Sequence, residues 1–362
     1  MRKISFGVLG CGNVANNYYL PYISRVNRLV AVCDVIKERA IRSAELWGAE
    51  KWYDDPEKLL KDDEVEAVAI LTGFSSHARL AIRAAEEGKH FILQKPMGLN
   101  LKEAEEIKDK TLKSEVKAVI EPSEPVLSPL MKKLKGLLTE IDKHSFSVWH
   151  TGHGGPTWSA DFFDSERGGG VVNDLMVYDV ARTFTFFGLP KKITAQGSIF
   201  MPVRYVIPPE KVTESIRKDT YGRGVYYFHD VKPSVPVRVT AYDNVVAVLE
   251  YDGAEATLIS NFTTFTRLKM PSIQIYGSKG SIAVPRVFEP QIEVEVNGKK
   301  KKLGEKEIGK IRKYYELSVD HLAECIEKDD DPAPSVEWGF NVTRVLVAIN
   351  KSAKTGKAIS IN

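Results

Sequence analysis

Only three cysteines occur in the 362 residues, Cys11, Cys33 and Cys325, without paired spacing and without a C-x-x-C. Neither a disulfide framework nor a zinc site is suggested, and no metal is expected. Long apolar runs are missing too: none approaches membrane-spanning length. Met1-Arg2-Lys3 leads into the first strand without a secretory h-region, so the expectation is a cytoplasmic protein without a membrane partner. Charge of one sign is also lacking. With 51 basic and 48 acidic side chains the net charge is +3, too weak a field to gather nucleic acid. The lysine run from Lys299 to Lys302 follows Asn297-Gly298, a hairpin-turn pair, and reads as a solvated strand edge. Glutamine is scarce, four residues in all, which hints at a thermophilic source. Repeats and low-complexity tracts are absent. What is present, 43% hydrophobic residues in a chain of this length, suffices for two packed cores and excludes a disordered or fibrous class.

Residues 1–122 alternate short apolar runs with helical segments, the pattern of a doubly wound parallel sheet. Strands are expected at Ile4–Leu9, Leu29–Asp34, Ala67–Thr72, His90–Leu93 and Val116–Ile120, with helices between, the first shortened or kinked by Pro21. Gly10-Cys11-Gly12-Asn13-Val14-Ala15 lies where the first strand hands over to a helix. Its first glycine suits a tight turn, its second admits a pyrophosphate, and its last position is small where helix meets strand. The second strand ends in Asp34, at the spacing at which a carboxylate meets an adenosine ribose. Gly10, Gly12, Asn13, Val14 and Asp34 are therefore candidate cofactor-binding residues. The carboxylate favours NAD over NADP, with NADP left open because Lys37 and Arg39 follow closely.

Ligands of such sheets bind beyond the carboxyl ends of the strands. The third and fourth strands end in Thr72-Gly73-Phe74-Ser75-Ser76-His77 and Gln94-Lys95-Pro96, adding Thr72, Phe74, His77, Gln94 and Lys95 to the cofactor-binding candidates. Proline holds Lys95 extended, and a lysine partly desolvated beside a nicotinamide stabilises an alkoxide or shuttles a proton. An exposed loop lysine fits those residues equally well.

Residues 123–362 change rhythm. A helix at about Pro125–Leu138 precedes a strand ending at Trp149-His150, and a loop rich in Gly, Trp and Phe leads to Gly168-Gly169-Gly170. These glycines open a helix running to Phe187-Gly188, on which Asp174 and Tyr178 share a face one turn apart. A capping acid and a half-buried tyrosine fit that spacing as well. Several β-branched runs between Ile193 and Val296 read as a mostly antiparallel sheet. Residues 203–235 interrupt it at a length beyond a hairpin loop and are expected to cover the cleft or a subunit contact. In the loop before the glycines, His150, His153, Trp158, Asp161, Phe162 and Phe163 mix aromatic platforms with hydrogen-bonding groups suited to a sugar. Arg182, one turn past Tyr178, suits either an acidic substrate or pairing on the helix surface. Glu121 and Ser123 end a strand within reach of the cleft.

Thr72 through His77, Gln94-Lys95-Pro96, the three glycines followed by Asp174 and Tyr178, and Ile273 through Gly280 together resemble the glucose-fructose oxidoreductase/inositol dehydrogenase (Gfo/Idh/MocA) family over nearly the whole chain. The resemblance implies an N-terminal Rossmann domain, residues 1–122, and a C-terminal α/β domain, residues 123–362, built on a large open sheet for substrate binding and oligomerisation. It implies a nicotinamide-dependent oxidoreductase moving a hydride between NAD(P) and a hydroxyl or carbonyl carbon of a sugar, sugar derivative or polyol. By the same likeness Lys95, Tyr178 and Asp174 are the catalytic residues. Glu121, His153, Trp158, Asp174 and Tyr178 are the substrate-binding candidates, and the chain forms a homodimer or homotetramer. Two departures matter. The usual Glu-Lys-Pro is Gln94-Lys95-Pro96, which on its own lowers the lysine pKa, and a tyrosine stands where many members carry histidine. The tyrosine form is similar to the glucose-fructose oxidoreductase, dihydrodiol dehydrogenase and xylose dehydrogenase branch. An NAD-retaining glycoside-cleaving enzyme, with constant absorbance at 340 nm, and a non-catalytic dinucleotide or sugar sensor are the alternatives.

Overall fold

The computed structural model describes residues 2–217, 225–226, 231–265 and 270–361. Six parallel strands, β1 (Ser5–Leu9), β2 (Arg28–Cys33), β3 (Lys51–Tyr53), β4 (Ala67–Ile70), β5 (His90–Leu93) and β6 (Ala118–Ile120), form one sheet in the order β3-β2-β1-β4-β5-β6. The apolar runs are continuous because both faces are covered. Phe6 and Val8 pack in one layer with Ala15 and Tyr19, while Leu9 and Val68 face Leu80, Ala81 and Ile107 in the other. Strand β3 leaves no signal in the sequence: three residues at the sheet edge are too few for an alternation to register.

Pro21 acts on the first helix as expected. A widened π-type turn at Ala15–Tyr19 precedes the regular helix Leu20–Val26. Proline has no N–H for the carbonyl four residues back and its ring crowds that carbonyl; a wide turn accommodates both. The helix expected at about Pro125–Leu138 is two, Glu124–Leu127 and Pro129–Leu137, joined at Ser128, whose backbone is extended. A residue before proline is steered out of the helical region.

The second sheet has nine strands, in the spatial order Lys299–Leu303, Ile292–Val296, Gly280–Val284, Ile273–Gly277, His144–Gly152, Ala254–Asn261, Asn244–Tyr251, Lys192–Ser198 and Ile359–Ser360. All neighbours are antiparallel except His144–Gly152 beside Ala254–Asn261. Helices cover one face, where Trp149, Leu249, Leu258 and Ile275 meet Leu134, Val180, Val345 and Ile349. The other face is open and carries exposed Phe146, Val246, Val248 and Tyr276, the two rings stacked 6.1 Å apart. Helix Tyr314–Lys328 returns to the first sheet, placing Val319 and Leu322 beside Phe6 and Val8.

Within residues 203–235, Val203–Val206 pairs antiparallel with Val235–Arg238, and a short helix Pro209–Glu214 leads to Ile216–Arg217, which pairs with Val225–Tyr226. Tyr221 and Tyr227 lie outside the described residues. Among the described residues no helix is long and apolar enough to cross a membrane.

Candidate active site

The glycine turn begins on a backbone that demands glycine. Gly10 has φ +92°, and a Cβ there would lie 2.9 Å from the Leu71 carbonyl carbon and oxygen. Gly12 has open space where a Cβ would stand, and the first N–H groups of the helix beyond it have no intrahelical partner. Ala15 is fully buried against β1. Asp34 is tied to the turn: its Oδ2 accepts the Cys11 N–H and its Oδ1 the Ile36 N–H, both at 2.8 Å. An open anion-sized cradle at a helix start, with a carboxylate fixed at the end of β2, fits the pyrophosphate and ribose of a dinucleotide. Asn13 is buried, its Oδ1 accepting from Asn17 Nδ2 at 2.6 Å, and Val14 is half-buried beside it.

Asn16 was not singled out in the sequence, yet it holds this turn. Its amide nitrogen donates to the carbonyls of Cys11, 2.8 Å, and Gly12, 3.1 Å, while its oxygen accepts from Ser43 Oγ at 3.1 Å and Trp47 Nε1 at 2.8 Å. All four hydrogen-bonding positions of the amide are used.

The residues at the ends of β4 and β5 divide into two groups. Thr72 and Phe74 remain half-exposed, with Ser76 Oγ donating to Thr72 Oγ1 at 2.7 Å. His77 and Gln94 turn inward. His77 is fully buried between the carbonyls of Pro96, 2.8 Å from Nδ1, and Thr72, 3.1 Å from Nε2, and burial pulls its pKa down. It clasps the two strand ends. Gln94 Nε2 donates to Tyr19 Oη at 3.0 Å, and Tyr19 donates to Glu121 at 2.8 Å. Glu121 also accepts the Ser123 N–H at 2.6 Å; burial raises its carboxyl pKa despite these bonds. Its carboxylate is thus taken up inside the protein, by Tyr19 on one side and by Ser123 and Ser318 on the other, and Ser123 is fully buried beside it.

Lys95 reaches from the end of β5, in the first unit (the part of the chain with the six-stranded sheet), to the second unit, which carries the nine-stranded sheet. Its Nζ donates to Asp174 Oδ1 at 2.5 Å and to the Asp174 carbonyl at 2.9 Å, and lies 5.4 Å from the centre of the Tyr178 ring and 5.6 Å from that of Phe74. Asp174 sits in a second widened turn, Val172–Met176, which leads into the regular helix Val177–Phe187 carrying Tyr178. Widened turns of this kind recur at functional sites. The glycines before it permit a close approach between parts of the protein. A Cβ at Gly168 would meet the Leu99 side chain at 2.3 Å, and one at Gly169 the Asp161 carbonyl at 2.3 Å.

Burial pulls the Lys95 pKa down, but Asp174 and Tyr178 together outweigh it and leave the ammonium above its ordinary value. The fall expected from Gln94 is thus reversed by a carboxylate from the other unit. Tyr178 is raised chiefly by burial, with Lys95 pulling the other way. At neutral pH the pair is a cation and a neutral phenol.

On the substrate side, His153 is exposed, and its Nδ1 accepts the Gly155 N–H at 2.9 Å. Its neutral form therefore carries the proton on Nε2. Trp158 meets Phe162 edge-on at 5.4 Å, and Phe162 meets Phe74 edge-on at 5.4 Å. Asp161 pairs with Arg167 at 3.1 Å. His150 lies elsewhere: strand alternation places it with Phe146 and Val148 on the open face, opposite buried Trp149. Arg182 is neither a surface residue nor free for a substrate. It is buried and paired with Glu124 at 3.1 Å and Asp179 at 2.8 Å, its Cζ 5.9 Å from the Tyr178 ring centre. Among the described residues no group of three or more His, Cys, Asp or Glu forms a metal site.

Residues 4–121 match the model of an oxidoreductase family with an NAD-binding Rossmann fold, GFO/IDH/MocA, and residues 142–283 match the GFO/IDH/MocA C-terminal domain. The scyllo-inositol 2-dehydrogenase (NAD+) of Bacillus subtilis is 23% identical, covering 100% of this chain and 97% of that protein. The D-xylose 1-dehydrogenase (NADP+) 2 of Haloferax volcanii is 24% identical, covering 99% of each. A solved levoglucosan dehydrogenase in complex with NADH and levoglucosan superposes with TM-score 0.81 at 18% identity, over 99% of this chain and 100% of that one.

Proposed function

Because the chain belongs to the GFO/IDH/MocA family of oxidoreductases, we propose that it moves a hydride between a nicotinamide cofactor and a hydroxyl or carbonyl carbon of a sugar, sugar derivative or polyol. The observation that carries this reading is the Lys95 ammonium bridging the two units at the carboxyl edge of the first sheet, held by Asp174 and facing Tyr178. NAD, when bound, supplies the hydride acceptor or donor. The chain's own groups handle oxygen and proton. Lys95 polarises the reacting oxygen, Tyr178 gives or takes its proton, and Asp174 fixes the ammonium and grips a neighbouring hydroxyl. His153, with its proton on Nε2, donates to another substrate oxygen, and Trp158 lines the cleft beside Phe162. Purified protein mixed with NAD and a panel of sugars and polyols tests this at 340 nm. Absorbance rising with at least one of them is expected, and a constant trace with all of them contradicts the reading.

The dinucleotide reading favours NAD. Lys37 Nζ lies over the Trp52 ring at 5.2 Å, and Arg39 is engaged by Thr213 and Pro209, leaving the Asp34 carboxylate to meet the ribose. A carboxylate there repels a 2′-phosphate, so kcat/KM with NADH should exceed that with NADPH by about tenfold or more. The reverse order would overturn the role given to Asp34.

The open sheet face supports a homodimer or homotetramer, because Phe146, Val148, Val246, Val248 and Tyr276 otherwise leave an apolar patch in water. Light scattering should give a multiple of the chain mass that falls to one chain in Val246→Glu/Val248→Glu. A monomeric parent protein would refute this.

A further inference from the structure

Residues 207–217, part of the stretch expected to cover the cleft or a subunit contact, pack on the helix that follows Asp34. Ile207, Val212 and Ile216 are buried against Leu46 of the helix Lys37–Trp47, with Trp47 and Trp158 at the margins of the cluster. A polar contact stands beside this apolar one: Arg39 Nε donates to Thr213 Oγ1 at 2.9 Å, and its NH2 group donates to the Pro209 carbonyl at 3.3 Å.

The same helix is fastened to the glycine turn. Ser43 and Trp47 donate to Asn16, which donates to the Cys11 and Gly12 carbonyls, and Cys11 in turn donates its N–H to Asp34. The chain of contacts thus runs from the second unit through helix Lys37–Trp47 to the two places where a dinucleotide's ribose and pyrophosphate would rest. Trp158 extends it the other way, through Phe162 and Phe74, to within 5.6 Å of Lys95 Nζ. The second unit therefore grips the first at both ends of the cofactor cleft, near Lys95 and near Asp34.

We propose that residues 207–217 are a cofactor clamp: by holding helix Lys37–Trp47 against the second unit they slow the departure of NADH from the cleft. This rests on the dinucleotide reading above. A ligand in the crevice between two units leaves when the units swing apart, and that swing must separate Thr213 from Arg39 and Ile216 from Leu46. Where opening limits release, contacts made only in the closed state set the rate.

The test compares NADH release from the parent protein, Thr213→Val/Ile216→Ala and Thr213→Ser by stopped flow, mixing NADH-loaded protein with excess NAD and following NADH fluorescence. The double variant should release NADH about tenfold faster, the loss of about 1.4 kcal/mol of closed-state contact. Thr213→Ser keeps the hydroxyl and should match the parent. At saturating NADH the KM for substrate should be unchanged in all three, which separates a clamp on the cofactor from a general loosening of the cleft. Release rates within about twofold of one another across the three, or a rise in substrate KM equal to the rise in release rate, would overturn the clamp. Thr213→Val alone gives the same comparison if the double variant does not fold. A parent protein that gives no saturable NADH signal would overturn the dinucleotide reading itself.

Discussion

Lys95→Met should lower kcat by about 10³-fold, the usual effect of removing a charged group that polarises the reacting oxygen. The NADH dissociation constant should stay within about twofold, because the glycine turn, Asn16 and Asp34 are untouched. Methionine matches the length of the stem, so the cleft keeps its shape and loses the charge. The substitution also leaves Asp174, mostly buried, without its cation, and an uncompensated buried carboxylate lowers stability. Lys95→Arg separates the two effects. A guanidinium restores a positive partner for Asp174 but spreads its charge over a larger planar group that cannot sit where the compact ammonium does, so it should recover the melting temperature more fully than the rate. Near-parental turnover in Lys95→Met would remove the lysine from the mechanism.

The second large effect is on the pH dependence of oxidation. To take a proton from a substrate hydroxyl, Tyr178 must first lose its own, and burial holds the phenol above its usual range. Below that pKa the reactive fraction grows about tenfold for each pH unit. Oxidation rates limited by chemistry should therefore climb about 10³-fold from pH 6 to pH 9 if no other step intervenes. Reduction uses the protonated phenol and should be flat over the same range. In Tyr178→Phe the alkaline climb should disappear with most of the activity. A flat oxidation profile in the parent protein would show that Tyr178 is not the base.

Features carried by neighbouring residues were legible in the sequence. Gly10, Gly12 and Asp34 follow from strand ends and turn chemistry, and the parallel first sheet and mostly antiparallel second one follow from the rhythm of apolar runs. Contacts that join distant positions were not legible from pattern alone. Asn16 could not be found because its partners Ser43 and Trp47 lie 27 and 31 residues on. The compensation of Gln94 by Asp174 spans 79 residues from Lys95. Spacing on a helix placed Arg182 on the Tyr178 side but could not show that Glu124, from another helix, buries it. Likewise a strand end does not reveal which of its residues turn inward, so His77 and Gln94 were grouped with Thr72 and Phe74 although the structure separates them. For His150 the period-two rule already held the answer, since buried Trp149 next to it fixes the opposite face.

The central claim is direct hydride transfer at a carbon held beside Lys95 and Tyr178. Its most direct test uses NADH carrying deuterium at the transferable nicotinamide position, with the ketone or aldehyde form of a substrate found in the 340 nm panel, and mass spectrometry of the product. One deuterium is expected on the carbon that becomes the carbinol, accumulating about 10³-fold more slowly in Lys95→Met than in the parent protein. Product formed without deuterium on that carbon, whichever stereochemical face of the nicotinamide is labelled, would contradict it.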